Sequence, residues 1–102
     1  MLTFEQVLEV FNEYINEDED CQVVITKQGY TVMMWDCCMM DWIFVTYCGT
    51  PVKLRNTMMN NFYHFWEWKY TSGERDLTKD EKKKLKNRCE ELKIMCKKKV
   101  AM

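Results

Sequence analysis

Six cysteines and a single histidine are the side chains in this sequence that could hold a metal or attack an electrophile. Structural zinc wants paired Cys or His at short spacing, such as C-x₂₋₄-C, followed by a second pair. Cys37 and Cys38 are adjacent, and Cys89 and Cys96 lie two helical turns apart, roughly 10 Å, too far to share one ion on a regular helix. His64 has no second histidine to work with. The spacing predicts no metal site and no cofactor. A reactive thiolate needs positive charge or a helix N-terminus nearby, whereas Cys37-Cys38 is flanked by Asp36 and Asp41, which favour the neutral thiol. Nothing local pairs a cysteine with His64, and three glycines provide neither a phosphate cradle nor a nucleophile elbow. The acidic run at 17–20 lacks the alternating ligands and central glycine of an EF-hand loop. A non-enzymatic protein is expected.

Charge offers more. The net charge of −1 hides nine acids against one base, Lys27, in residues 1–50, and fourteen bases against seven acids in residues 51–102. Glu5, Glu9 and Glu13 recur every four residues on the first predicted helix, and Glu17 and Asp18 extend the series. Such a stripe is ordinarily solvated; it is also what a small phage or mobile-element inhibitor presents to a basic nucleic-acid groove. Near the other end, Lys79, Lys82, Lys83, Lys84, Lys86 and Arg88 form a candidate phosphate-binding set. The whole chain is weakly acidic, unlike a dedicated nucleic-acid binder, so nucleic-acid association is the second reading. Opposite charge on the two halves also fits a homodimer, or an acidic helix lying against a basic one.

The elements that position these groups follow from periodicity. Thr3 and Gln6 make a capping box, with Leu2 and Val7 as its hydrophobic staple. Phe4, Val7, Leu8, Phe11, Tyr14 and Ile15 then trace one buried face, which predicts a helix over 3–17. Strands are predicted at 21–27, 30–36 and 41–48. Gln28-Gly29 is read as a two-residue hairpin loop, placing Lys27 opposite Tyr30, Ile25 opposite Val32 and Val23 opposite Met34. The second hairpin turns within Cys37–Met40 and pairs Asp36 with Asp41 and Trp35 with Trp42. Thr50 as N-cap with Pro51 at the first helical position predicts a helix over 51–70. Thr78 and Glu81 form another capping box and start a helix over 78–98, whose narrow apolar seam is Leu85, Cys89, Leu92 and Cys96, joined by Met95. The expectation is one α+β domain of order α-β-β-β-α-α, a three-stranded antiparallel meander packed against helices.

That pairing gives the sheet two unlike faces. Cys21, Val23, Ile25, Val32, Met34, Ile43, Val45 and Tyr47 belong under helices. The other face carries Val24, Met33, Trp35, Trp42 and Phe44, where a sheet covered on one side normally shows polar residues. Exposed aromatics rimmed by polar residues mark protein-binding surfaces, so Met33, Trp35, Trp42 and Phe44, with Trp68 outlying, are the candidate partner-binding residues. Periodicity does not decide whether the last helix folds over this face or leaves it open. No apolar run approaches the roughly 18–20 residues that span a bilayer, and the N-terminus lacks a signal-peptide pattern. With its cysteines reduced, the chain reads as a cytoplasmic module that acts by binding a protein.

Overall fold

In the computed structural model, which describes residues 1–101, Thr3 opens the first helix with both bonds of its capping box. Gln6 N–H donates to Thr3 Oγ1 at 3.2 Å, and Thr3 N–H donates to Gln6 Oε1 at 3.0 Å. The helix expected over 3–17 is two pieces, α1 (Phe4–Val10) and α2 (Asn12–Glu17). Phe11 lies between them at φ −94°, ψ 11°, outside helical geometry, and its N–H reaches the carbonyls of both Val7 and Glu9. The break leaves the buried face continuous: Val7, Val10, Phe11 and Tyr14 all enter the core.

Strands β1 (Cys21–Thr26), β2 (Gly29–Asp36) and β3 (Asp41–Cys48) form one antiparallel sheet in the order β1-β2-β3. The first hairpin turns one residue earlier than expected. Thr26 pairs with Gly29 and Val23 with Val32, so Lys27-Gln28 is the loop. The register moves by two residues, and because the side-chain period is two, every side chain stays on its expected face. Gly29 has φ +121°, and a Cβ there would sit 2.6 Å from the Cys48 carbonyl oxygen and 3.3 Å from the Phe4 ring. Close approach of β3 and α1 requires the glycine, beyond any need of the turn.

The second hairpin turns where expected, with Trp35 opposite Trp42 and Asp36 opposite Asp41. Farther along, β3 departs from the expected alternation. Met34 pairs with Ile43, but Val32 pairs with Thr46, so one extra residue has entered β3 at Phe44-Val45. Beyond this bulge the strand is turned over. Thr46 and Cys48 face the helices and Tyr47 faces away, which reverses the expected placement of Tyr47.

Helix α3 (Pro51–Thr71) begins as expected, with Lys53 N–H donating to Thr50 Oγ1 at 3.2 Å, and ends at Ser72 in the left-handed conformation. It packs on β2 and β3 through Leu54, Met58 and Phe62. Helix α4 (Lys79–Ala101) runs past the expected end at residue 98 and starts on the Thr78–Glu81 box. Its seam is Leu85 and Cys96, with Cys89 and Leu92 half-buried. It packs on α1 and α3, and among the described residues no element lies over the sheet face that carries Trp35 and Trp42. Among the described residues no helix is long and apolar enough to cross a membrane. Gly29→Ala should lower stability by about 2–3 kcal/mol through strain at positive φ and the clash with Cys48. In urea unfolding this appears as a lower midpoint at unchanged slope.

Candidate functional site

The bulge and α3 enclose a groove of about 850 Å³ open to solvent. Phe44, Val45 and Thr46 form one wall, and Met34 and Phe65 lie deeper. Along the other wall run Asn56, Asn60, His64 and Trp68, four residues each four apart, hence one straight row on the helix with about 6 Å between neighbours. Asp18 and Asp20 also line the groove, and no Lys, Arg or Cys does so. Asp18 is 6 % exposed; it accepts a 2.7 Å bond from the Tyr14 hydroxyl, and its other carboxylate oxygen accepts from Asp20 N–H at 3.2 Å.

Two aromatic side chains stand out from this groove. Phe44 is 76 % exposed and has φ +52°. A bulky residue in the left-handed region is an outlier, because its Cβ crowds the following carbonyl; glycine is the ordinary occupant of that position in a bulge. Trp68 is 64 % exposed on the opposite wall, but one side of its indole rests on Gly73, where a Cβ would collide with the ring. Gly73 is held by the loop after α3. Arg75 donates to both carboxylate oxygens of Glu81, at 2.7 and 3.0 Å, and to the Tyr70 carbonyl at 2.7 Å. The Arg75 hydrogen bonds, with the Thr78 N–H, pull the Glu81 carboxyl down to about 2 from 4.5. The ion pair thus pins the loop two residues from the glycine on which the exposed indole rests, and Gly73 N–H itself donates to Thr71 Oγ1 at 3.2 Å.

The five candidate partner-binding residues divide between two surfaces. Trp35 and Trp42 meet edge to face on the open side of the sheet, ring centroids 5.0 Å apart, with Met33 beside them. Phe44 and Trp68 line the groove on the opposite side. The expectation that Phe44 belongs with the tryptophan pair is corrected by the bulge, which removes it from the alternation. Asn56, Asn60 and His64 were missed, although their spacing of four was a readable signal of a shared wall.

The charged sets are partly engaged within the chain. Lys99 Nζ is 3.1 Å from Glu9 Oε2, and Gln6 Nε2 donates to the Lys99 carbonyl, so the end of α4 is tied to α1. Arg88 lies over the rings of Phe62 and Trp66, at 5.5 and 5.9 Å from their centroids. Arg88 stays exposed while making this cation–π contact. Lys79, Lys82, Lys83, Lys84 and Lys86 remain exposed without an ion pair among the described residues. In the acidic series, Glu5, Glu13 and Glu17 are solvated, whereas Asp18 is buried.

Thiol reactivity is suppressed wherever a shift occurs. Burial pushes Cys21 up to about 11 and raises Cys89 and Cys96, and at the hairpin tip Cys37, then Asp36, raises Cys38. His64 has Glu67 at 3.9 Å as its acidic neighbour. Among the described residues no three His, Cys, Asp or Glu side chains converge as metal ligands would. Comparison of the chain with known protein families, curated protein sequences and solved structures gives no match.

Two outcomes follow. Because the open sheet face supports no other element, Trp35→Ala with Trp42→Ala should keep cooperative unfolding and cost about 2 kcal/mol; a non-cooperative melt would make that face core. The Glu81 bridge should be complete above pH 4.5 and lost as pH falls through about 2, since the folded-state carboxyl is the more acidic one. Trp68 fluorescence, isolated by replacing the other tryptophans with Phe, should change over that window. Glu81→Gln should abolish the change.

Proposed function

We propose that this chain is a non-enzymatic binding module that takes a protein partner in the groove between β3 and α3. Phe44 carries the reading. A large aromatic residue is held in a conformation costing about 1–3 kcal/mol and is left three-quarters exposed at the rim of the groove. The bulge that seats α3 explains the strained backbone but not the aromatic ring, since glycine would serve there without strain, and contact with another molecule is the use we assign to the ring. Trp68 across the groove, fixed by Gly73, supplies a second aromatic anchor of the type enriched at interface hot spots. Asn56, Asn60 and His64 offer donors and acceptors at the regular spacing that suits backbone groups of a bound segment.

A second reading rests on the five exposed lysines of α4, Lys79 to Lys86, which have no ion pair among the described residues and suit phosphate. Its affinity would fall steeply with salt.

Phe44→Gly separates stability from function. Relief of the left-handed strain should raise stability by about 1 kcal/mol while removing the aromatic contact. Cross-linking capture from the source cells, followed by mass spectrometry, should recover a protein with the native chain and with Lys83→Glu/Lys86→Glu, and lose it with Phe44→Gly and with Trp68→Ala. Recovery unaffected by both groove substitutions would refute the groove. Salt-sensitive DNA or RNA binding abolished by the lysine reversals would favour the second reading instead.

A further inference from the structure

The two edges of the sheet are treated differently. On β3 the edge is blunted: Asp41 Oδ1 takes the Trp42 N–H at 2.8 Å, the Thr46 hydroxyl donates to the Phe44 carbonyl at 3.3 Å, and the bulge twists the strand between them. These are the devices by which proteins prevent pairing at an edge. On β1 they are missing: Cys-Gln-Val-Val-Ile-Thr has no charge, no proline and no bulge.

Backbone direction identifies which groups of β1 face outward. Trp35 N–H donates to the Asp20 carbonyl at 2.9 Å, in the same register as the rest of the pair. Hydrogen-bonded and non-bonded pairs alternate in an antiparallel ladder, so Gln22, Val24 and Thr26 bond to β2, while Cys21, Val23 and Ile25 turn N–H and C=O to the free edge. The Cys21 N–H is already taken by the Asp18 carbonyl at 3.2 Å. The N–H groups of Val23 and Ile25 and the carbonyls of Cys21, Val23 and Ile25 remain. Charge marks the two ends of this strand: Asp18, Glu19 and Asp20 precede it, and Lys27, the one base of the first fifty residues, follows it.

We propose that this edge pairs antiparallel with the same edge of a second copy, Val23 opposite Val23, making a continuous sheet of six strands about a two-fold axis. In this register each copy's Ile25 N–H meets the other's Cys21 carbonyl, and the two Val23 residues exchange both bonds. Glu19 and Lys27 lie in the turns at the two ends of β1, so the acidic end of each copy comes to the basic end of the other, while the two acidic runs lie at opposite ends. Ile25, 78 % exposed in the single chain, comes beside Cys21 on the helix-covered side.

Light scattering and sedimentation on the full chain test this. Twice the chain mass is expected. Val23→Pro should give the monomer mass with an unchanged far-ultraviolet spectrum, because the lost N–H faces away from β2. Lys27→Glu should weaken self-association about tenfold, and Glu19→Lys added to Lys27→Glu should restore it. The charge variants stand at exposed positions and decide the matter even if Val23→Pro fails to fold. A monomeric native chain, or a dimer insensitive to both the proline and the charge reversal, would overturn the pairing.

Discussion

One extra residue in β3, at Phe44-Val45, governs the shape of this molecule. Side chains on a strand alternate with period two, so a single insertion exchanges the faces of everything after it. Cys48 and Thr46 are thereby turned to the helices, and Cys48 is buried against α3, where its thiol meets Thr57 Oγ1 at 3.6 Å. Without the bulge, Tyr47 would point into that space. The same insertion drives Phe44 into the left-handed region and out toward α3. The seating of α3 on the sheet, the groove beside it and the aromatic rim of the groove all stem from one local irregularity.

The aromatic residues of this chain do three separate jobs. Phe11, Tyr14 and Phe62 are interior, and Phe62 extends outward through Trp66 to the guanidinium of Arg88, which joins α3 to α4. Trp35 and Trp42 brace the second hairpin across the open face of the sheet. Phe44 and Trp68 stand in solvent on opposite walls of the groove, one held by backbone strain and the other by a glycine platform. Holding an exposed aromatic ring in place reduces the ordering cost of binding, which limits affinity more than contact area does.

The charge split is likewise resolved into local arrangements. Glu9 and Lys99 join the first and last helices, and Arg88 lies over the Phe62 ring. Exposed pairs of this kind contribute little to stability. Their use is positional: they fix how α4 lies along α1 and leave its lysines from 79 to 86 facing solvent.

Residue pattern alone determined the element order, the three caps at Thr3, Thr50 and Thr78, the tryptophan cross-strand pair and the narrow seam of α4. Each is a short-range matter in which side chain and backbone partner lie within a few residues, or in which a strict period applies. The kink at Phe11, the bulge at Phe44 and the groove were settled by tertiary structure. A bulge leaves no mark in hydrophobic alternation when the residues around it, Ile43 to Val45, are apolar on both phases, and only the demand of α3 for a small, buried Cys48 selects one. The opening stretch of β1 shows the same division. Its apolar, uncharged run was plain in the sequence; that its outer edge carries no gatekeeper while that of β3 carries three depends on bonds made by Asp41, Thr46 and the bulge, which exist only in the folded chain.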